Sequence, residues 1–119
     1  MPEDPEGRKP MEEQEVQQLV SQFQVMQQQL QGVLIQKESM RLQQLEIEQA
    51  VEELGSTNQK EAYKIAGPVM ISKPVKDLKK ELEESKEAIG VRIESLKKAE
   101  DRINSQLRDL QEKLKKFIR

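Results

Sequence analysis

The sequence predicts a mainly α-helical protein in which two long helices form an antiparallel coiled coil joined by one β-hairpin. Apolar residues recur at heptad spacing in two stretches, Val16 to Leu54 and Val75 to Phe117. Between them, the segment AYKIAGPVMIS (residues 62–72) is apolar and has a Gly-Pro pair at its centre. Long heptad stretches are typical of coiled coils, and a short apolar segment with a central turn signal is typical of a hairpin.

The composition favours an elongated coiled coil over a compact core. The chain has 119 residues, of which 34% are hydrophobic and 35% charged, with two Phe, one Tyr and no Trp. A globular core normally contains more large apolar side chains than this. We therefore expect each helix to bury one narrow stripe and to leave the rest of its surface in water.

The absence of Cys and His excludes several kinds of chemistry. Disulfides, thiol nucleophiles, Cys/His zinc sites and histidine acid–base catalysis are all ruled out. No nucleophile–base pair, metal cluster or phosphate loop is visible, so we expect no enzyme activity, no cofactor and no metal. The net charge of −2, with both signs interleaved, argues against a general affinity for nucleic acid.

The sequence contains no segment typical of membrane insertion or export. No apolar run approaches the roughly 20 residues needed to span a bilayer. Met1 is followed by PEDPEGRKP and not by an apolar signal segment. We therefore expect a cytoplasmic protein without a membrane partner.

The first helix is predicted over about residues 11–54. It follows residues 1–10, a Pro-rich segment expected to be a disordered tail, so that 11–119 form a single domain. Gly55 is a natural stop for this helix. Ten of the twelve positions on its heptad stripe are apolar. The stripe consists of Val16, Leu19, Phe23, Met26, Leu30, Val33, Lys37, Met40, Gln44, Ile47, Val51 and Leu54.

The second helix is predicted over about residues 75–118. One row of its heptad is apolar throughout, and its companion row is weaker, with Ser85, Arg92, Gln106 and Lys113 among its members. The apolar row is Val75, Leu82, Ile89, Leu96, Ile103, Leu110 and Phe117. Gly90 lies within the helix at a cost of about 1 kcal/mol, so we expect some local weakness there.

Two helices of equal length, joined by a short connection, predict an antiparallel pair in a definite register. One alignment matches apolar residues in six layers and places Gln44 opposite Ser85 and Lys37 opposite Arg92. Shared polar layers of this kind penalise slipped alignments. Long heptads always offer some workable register, so chance remains the alternative. The apolar layers are Leu54 with Val75, Ile47 with Leu82, Met40 with Ile89, Val33 with Leu96, Met26 with Ile103 and Leu19 with Leu110.

The segment between the helices predicts strands at about 62–66 and 68–72, with the turn near Ala66-Gly67. Glycine supplies the positive φ of a tight turn, and Pro68 blocks helix propagation. Pro74 and residues 55–58 are expected to act as hinges. The alternative is an apolar linker lying along the helices.

An isolated two-stranded hairpin is marginally stable and has two open edges. The hairpin is therefore expected to pair with the same element of another copy or of a related chain. The residues expected to form this oligomerisation hairpin are Tyr63, Ile65, Gly67, Pro68, Val69, Met70 and Ile71.

Two heptad helices around YKIAGPVMI, with LGSTNQKEAYKIAGPVMISK at the junction, resemble the beta-class subunits of prefoldin. The resemblance covers about residues 11–119, and its most specific part is the Tyr-Lys-x-x-Gly-Pro-Val junction after a Leu-Gly helix end. Alpha-class subunits carry two hairpins between their helices, and the connection here has room for one. Residues 1–10 have no counterpart in the family pattern.

The resemblance implies a molecular chaperone of archaea or the eukaryotic cytosol. Prefoldin is a hetero-hexamer of two alpha and four beta subunits, whose hairpins form an intersubunit β-barrel from which the helical pairs project. The helix tips hold unfolded polypeptides and deliver them to a group II chaperonin without using a nucleotide.

The tip of the helical pair, where the first helix begins and the second ends, is the expected client-binding site. Its apolar residues lie at or beside the end of the seam, where the paired stripe no longer closes on itself. Exposed apolar patches rimmed with charge are typical of interaction sites. The alternatives are ordinary seam packing for Leu19 and Phe23 and a frayed helix end for Phe117 and Ile118. The full set is Val16, Leu19, Val20, Phe23, Leu107, Leu110, Leu114, Phe117 and Ile118.

A basic cluster at the end of the second helix is the expected contact for acidic patches on a chaperonin. It consists of Lys113, Lys115, Lys116 and Arg119. The alternative is that these residues complement the helix dipole and aid solubility.

The rival to a chaperone subunit is a coiled-coil adaptor or scaffold, in which residues 62–72 form a plain elbow between the helices. The mass of the complex distinguishes the two interpretations. A rod-like dimer in all conditions is expected of a scaffold, and a hexamer with an alpha-class partner is expected of prefoldin.

Overall fold

The structure, a computed structural model, describes residues 10–117, with side chains from 13 onward. Its elements are α1 (Pro10–Ser56), β1 (Glu61–Ala66), β2 (Val69–Pro74) and α2 (Val75–Lys115). The predicted fold class of two long helices and one hairpin is confirmed. The tail was expected over residues 1–10, but Pro10 is the first residue of α1. Residues 1–9 and the last two residues, Ile118 and Arg119, lie outside the described residues.

The chain divides into two compact units. The first unit contains α1 up to Ile35 and α2 from Lys97 onward. The second unit is continuous in sequence, Gln36–Leu96, and contains the hairpin with the adjoining parts of both helices.

The predicted stripe of α1 is the inward face of that helix. All twelve of its positions are half-buried, including Lys37 and Gln44, whereas most residues between them are exposed. The helix was predicted to end at about residue 54, before Gly55, and α1 continues two residues further, to Ser56. The Ser56 hydroxyl donates a hydrogen bond to the Glu53 carbonyl at 3.1 Å and so satisfies one of the last carbonyls of the helix.

The predicted apolar row of α2 contributes three of the four buried hydrophobic residues of the described chain, Leu96, Ile103 and Leu110, which are 5–8% exposed. The companion row was assigned one residue too early. Ser85, Arg92, Gln106 and Lys113 are exposed, and the next positions along, with Ile93, Leu107 and Leu114, are half-buried. The exceptions are Leu78 at the start of the helix, which is 7% exposed, and Ala99, which is half-buried.

This error also displaced the predicted helix register. In the second unit, the Glu48 carboxylate lies 3.4 Å from the Lys86 ammonium. A Cβ added to Gly90 would lie 3.6 Å from Nε2 of Gln44. Gln44 was expected opposite Ser85, so the true alignment is displaced by about one helical turn along α2. The proposed polar layers, Gln44 with Ser85 and Lys37 with Arg92, are therefore wrong.

The β-hairpin is longer than predicted, and its turn lies one residue later. The strands pair antiparallel from Glu61 with Pro74 to Ala66 with Val69, which leaves Gly67 and Pro68 as a two-residue turn. Gly67 has φ +62°. Positive φ at the first central residue, followed by a proline, is typical of a type II′ turn, whose twist matches that of paired strands.

The junctions of the hairpin with the helices differ on its two sides. Pro74 is the last residue of β2 and α2 begins at the next residue, so no loop separates the strand from the helix at the predicted hinge. The Val75 amide donates a hydrogen bond to the Lys60 carbonyl at 2.8 Å and closes the base of the hairpin. On the other side, residues 57–60 connect α1 to β1.

Candidate interaction surfaces

The hairpin has two faces because side chains alternate along each strand. On one face, Tyr63 and Ile65 lie beside Met70, the cross-strand partner of Ile65. These three side chains are 69%, 72% and 63% exposed. We call them the outer face. Large apolar side chains at this exposure form a patch of the kind that a partner surface covers.

The other face, which we call the inner face, carries Ala62, Lys64 and Lys73, with Val69 and Ile71 nearer the turn. Ala62 and Lys73 are the hairpin's only half-buried residues. A groove of about 570 Å³ is lined by Ala62 together with Leu78 and Leu82 of α2, among others. The inner face therefore lies toward the first turns of α2.

One carboxylate of α2 bridges the two strands. Glu81 Oε1 lies 3.0 Å from the Lys64 ammonium of β1, and its Oε2 lies 2.6 Å from the Lys73 ammonium of β2. These hydrogen bonds, first that from Lys73 and then that from Lys64, lower the pKa of Glu81 below the ordinary value of 4.5. The single carboxylate of Glu81 is thus shared between one cation from each strand.

The structure brings together all seven residues predicted for the oligomerisation hairpin. The five large apolar members are 41–72% exposed, and the remaining two form the turn. They do not form one surface, because Val69 and Ile71 belong to the inner face and Tyr63, Ile65 and Met70 to the outer face. The hairpin therefore offers apolar side chains on both sides.

The predicted client-binding residues fall in the first unit and differ in exposure. A shallow groove is lined by Leu19 and Phe117, with Glu15 and Lys113 at its rim. Val20 is 40% exposed, whereas Leu110 is 8% exposed. Leu110 therefore packs in the core of this conformation. The half-buried members of the set are Val16, Leu19, Phe23, Leu107, Leu114 and Phe117.

A second groove of the first unit shows how apolar surface continues away from the helix ends. It has a volume of about 350 Å³ and is lined by Val25, Met26 and Leu110 together with polar side chains. Val25 is 47% exposed. Sequence reasoning missed Val25 because it lies outside the heptad stripe.

The basic cluster at the end of α2 lies on the helix surface. Lys113, Lys115 and Lys116 are all exposed. Lys115 lies 3.7 Å from Glu112, one turn earlier. The Phe117 amide donates to the Leu114 carbonyl at 3.0 Å, which tightens the last turn.

Sequence reasoning also missed two other features. The first is the Lys64–Glu81–Lys73 bridge; the alternation of side chains places both lysines on one face, but no sequence signal connects them to Glu81. The second is a set of exposed apolar side chains outside the heptad stripes, a signal that was available in the sequence. These are Val25, Leu34, Ile35, Leu42, Leu45 and Val91, which are 41–67% exposed.

The order of elements and the exposed hairpin define a class of protein. Residues 17–119 match the family described as prefoldin subunit. The chain therefore belongs to the prefoldin subunit family, which is a family of chaperones and not of enzymes.

The relatives and the solved structure that this chain resembles are beta subunits. Prefoldin subunit beta of Archaeoglobus fulgidus is 34% identical over 105 residues, which cover 87% of this chain and 90% of the relative. That of Thermococcus onnurineus is 30% identical over 106 residues, covering 88% and 91%. The crystal structure of the prefoldin beta subunit from Thermococcus strain KS-1 matches with a TM-score of 0.80 and 29% identity, covering 88% of this chain and 93% of that one. The beta-class resemblance is confirmed.

Membership of the family implies a prefoldin complex with other subunits. Within residues 10–117, no helix is sufficiently long and apolar to cross a membrane.

Proposed function

We propose that this chain is a beta-type subunit of a cytoplasmic, ATP-independent chaperone hexamer with two alpha and four beta subunits. In this proposal the hairpins join subunits through an intersubunit β-barrel, and the helix ends of the first unit hold unfolded polypeptides for transfer to a group II chaperonin. The observation that carries the proposal is the outer face of the hairpin, with three large apolar side chains 63–72% exposed.

The hairpin supports assembly because it is incompletely stabilised within its own chain. Two paired strands satisfy each other along one edge and leave the other edge of each strand open. Such a sheet becomes stable when more strands are added or when its apolar face is covered. Hairpins from other subunits would supply both the strands and the apolar cover.

The helix ends of the first unit support client binding because their apolar residues are partly accessible. Leu19 and Phe117 line one shallow groove, and Val20 projects beside the seam with 40% exposure. A partly open apolar groove can accept different side chains without a fixed partner geometry. We assign client contact to the predicted set, in which the buried Leu110 lines the second groove of the same unit.

The exposed lysines Lys113, Lys115 and Lys116 support a salt-dependent encounter with an acidic surface of the chaperonin. Exposed charges at an interface raise association rates more than they raise affinity. The expected result is an association rate that falls as ionic strength rises and that falls further when all three lysines are replaced by glutamine. A rate that does not respond to salt would contradict this role.

The test of client binding separates the helix ends from the rest of the chain. The variant Leu114→Ser/Phe117→Ser removes two half-buried apolar side chains of the predicted client-binding set, of which Phe117 lines the groove of the first unit. The matched control Leu42→Ser/Leu45→Ser removes two leucines that are 53% and 51% exposed in the second unit. Both variants are assembled with an alpha-type subunit, and their masses and helical content are compared with those of the unmodified complex.

We expect the Leu114→Ser/Phe117→Ser complex to retain its mass and to lose suppression of the aggregation of a chemically unfolded protein. The Leu42→Ser/Leu45→Ser complex should suppress aggregation as the unmodified complex does. Equal suppression by both variants would contradict the assignment of client binding to the helix ends.

A further inference from the structure

The bridge at Glu81 connects the hairpin to α2 through side chains from both strands. The two carboxylate oxygens of Glu81 each have a separate lysine, Lys64 of β1 at 3.0 Å and Lys73 of β2 at 2.6 Å. The side chains of the three residues are 34–45% exposed, so the bridge lies at the surface and not in a core. Because one carboxylate holds both strands, it restrains rotation of the hairpin as well as its distance from the helix.

The position of the bridge suits this restraint. The hairpin passes into α2 at Val75 without an intervening loop, and one backbone hydrogen bond, from Val75 to Lys60, closes its base. Rotation about this junction would swing the whole hairpin relative to α2. Glu81 lies more than one helical turn beyond the junction and therefore restrains this rotation at a distance from the pivot.

We propose that Glu81 is a positioning residue that selects which face of the hairpin a partner subunit meets. The inner face is held on α2 by Lys64 and Lys73, and the outer face, with Tyr63, Ile65 and Met70, is offered to the apolar face of another subunit's hairpin. The inference rests on the proposed function, in which the hairpin is the assembly element.

Charge on the inner face is a second reason why a partner meets the outer face. Without Glu81, the inner face would present the ammonium groups of Lys64 and Lys73 beside the apolar Val69 and Ile71. Burying an ammonium group without a partner charge is costly, so a partner's apolar surface would be repelled from an open inner face. The lysines therefore disfavour apolar contact at the inner face with or without Glu81, and the bridge adds to this by holding that face on α2.

The first measurement tests the orientation of the hairpin in the full chain. The sequence has no Cys, so spin labels can be placed at Pro68→Cys in the turn and at Glu87→Cys on α2. With Glu81 present we expect one narrow distance distribution between the labels. Glu81→Gln should broaden it, whereas the matched control Glu84→Gln, an exposed carboxylate on the same helix, should leave it narrow.

The second measurement tests assembly with an alpha-type subunit. Glu81→Gln is expected to weaken assembly several-fold in dissociation constant, and Glu84→Gln to leave it unchanged. The charge-reversed triple variant Glu81→Lys/Lys64→Glu/Lys73→Glu should recover both the narrow distribution and the assembly. Recovery would show that the ion pairs position the hairpin, because a general loss of stability would not be reversed by exchanging the charges.

The outcomes distinguish this inference from the proposed function. If the unmodified chain fails to assemble with any alpha-type subunit, the proposed function fails, and with it the role of Glu81 in choosing a face. If the unmodified chain assembles and Glu81→Gln leaves either the distance distribution or the dissociation constant unchanged, the positioning role is overturned while the proposed function stands.

Discussion

The hairpin and the helical seam of the first unit both consist of regularly spaced apolar residues, and their exposure differs sharply. Ile65 of the hairpin is 72% exposed, whereas Ile103 of the seam is 5% exposed. The seam of α2 has a facing stripe on α1 in the same chain. The three apolar side chains of the hairpin's outer face remain 63–72% exposed, although Tyr63 also lines the groove beside α2. Periodicity therefore indicates which side chains share a face, and only the fold shows whether that face is already occupied.

This difference suggests two kinds of binding. When a permanent partner covers apolar side chains that have most of their surface in water, the complex is strongly stabilised, because burial contributes about 25 cal/mol per Å². Half-buried side chains beside a seam have already gained part of this stabilisation within the chain. They suit weaker and reversible contacts, as expected for an unfolded client.

The largest expected effect is loss of assembly on changing the outer face. Ile65→Asp places a charge in the surface that a partner hairpin would cover, so we expect no complex with an alpha-type subunit. Val91→Asp is the matched control, because Val91 is 67% exposed on α2 and the exposures of the two residues are close. Native mass spectrometry measures both. If Ile65→Asp still assembles with an alpha-type subunit, the hairpin does not differ from other exposed apolar surfaces. If the unmodified chain forms a dimer in every condition, the scaffold interpretation is favoured.

The seam should respond in stability. Ile103→Ala leaves a cavity around one of the most buried side chains and is expected to lower the free energy of unfolding by about 2–4 kcal/mol. Val91→Ala removes exposed surface and should change it by less than about 0.5 kcal/mol. Urea denaturation followed by circular dichroism measures both variants. Similar losses would mean that the seam is not the source of helical stability.

Two glycines, one in the hairpin turn and one in α1, should respond oppositely to substitution by alanine. A Cβ added at Gly67 or at Gly32 would meet nothing within 4 Å, but Gly67 has φ +62° and Gly32 lies within α1. Gly67→Ala should destabilise by about 1–2 kcal/mol because the left-handed region is strained for alanine. Gly32→Ala should stabilise by about 1 kcal/mol through helix propensity. Thermal unfolding of both variants should give shifts of opposite sign; shifts of the same sign would contradict this explanation.

The smallest expected effect concerns pH. The lysines facing Glu81 lower its pKa in the folded chain below 4.5, so the stability that the bridge contributes is fully present above about pH 4.5. It is lost as the pH falls through the lowered pKa, because protonation removes the charge while Lys64 and Lys73 stay cationic. Glu53 and Glu61 also line this groove.

A comparison of thermal unfolding from pH 7 to pH 3 with Glu81→Gln isolates the contribution of Glu81. The difference in melting temperature between the two chains should shrink at acidic pH. A constant difference would mean that the bridge does not contribute through its charge.

Much of the fold could be predicted from residue spacing, but the register could not. The α1 stripe was predicted in full because its apolar residues alternate at three and four positions without interruption. In α2 the apolar residues on one side alternate between two neighbouring rows, as Ala99 and Leu107 illustrate, and only packing against α1 decides which row faces inward. Assigning the earlier row moved the predicted alignment in the second unit by about one turn.

The candidate sites likewise contain residues that the sequence predicts and residues that it does not. Tyr63, Ile65 and Met70 could be named from the sequence because β-branched and aromatic residues around Gly-Pro indicate a hairpin. Their separation from Val69 and Ile71 depended on the turn position, one residue later than expected. Glu81 could not be named, because it belongs to a different element from its two lysines.

The sequence by itself determined the two helices, the single hairpin and the family, because each depends on local spacing, on turn residues or on a continuous motif. The tertiary structure decided the helix register, the burial of Leu110 and the face of the hairpin held on α2. These depend on which residues meet across elements, and a periodic pattern permits several such pairings. The pairing that forms is the one whose contacts between elements have the lowest free energy. The ion pairs of Glu81 with Lys64 and Lys73, which connect α2 to both strands, are contacts of this kind.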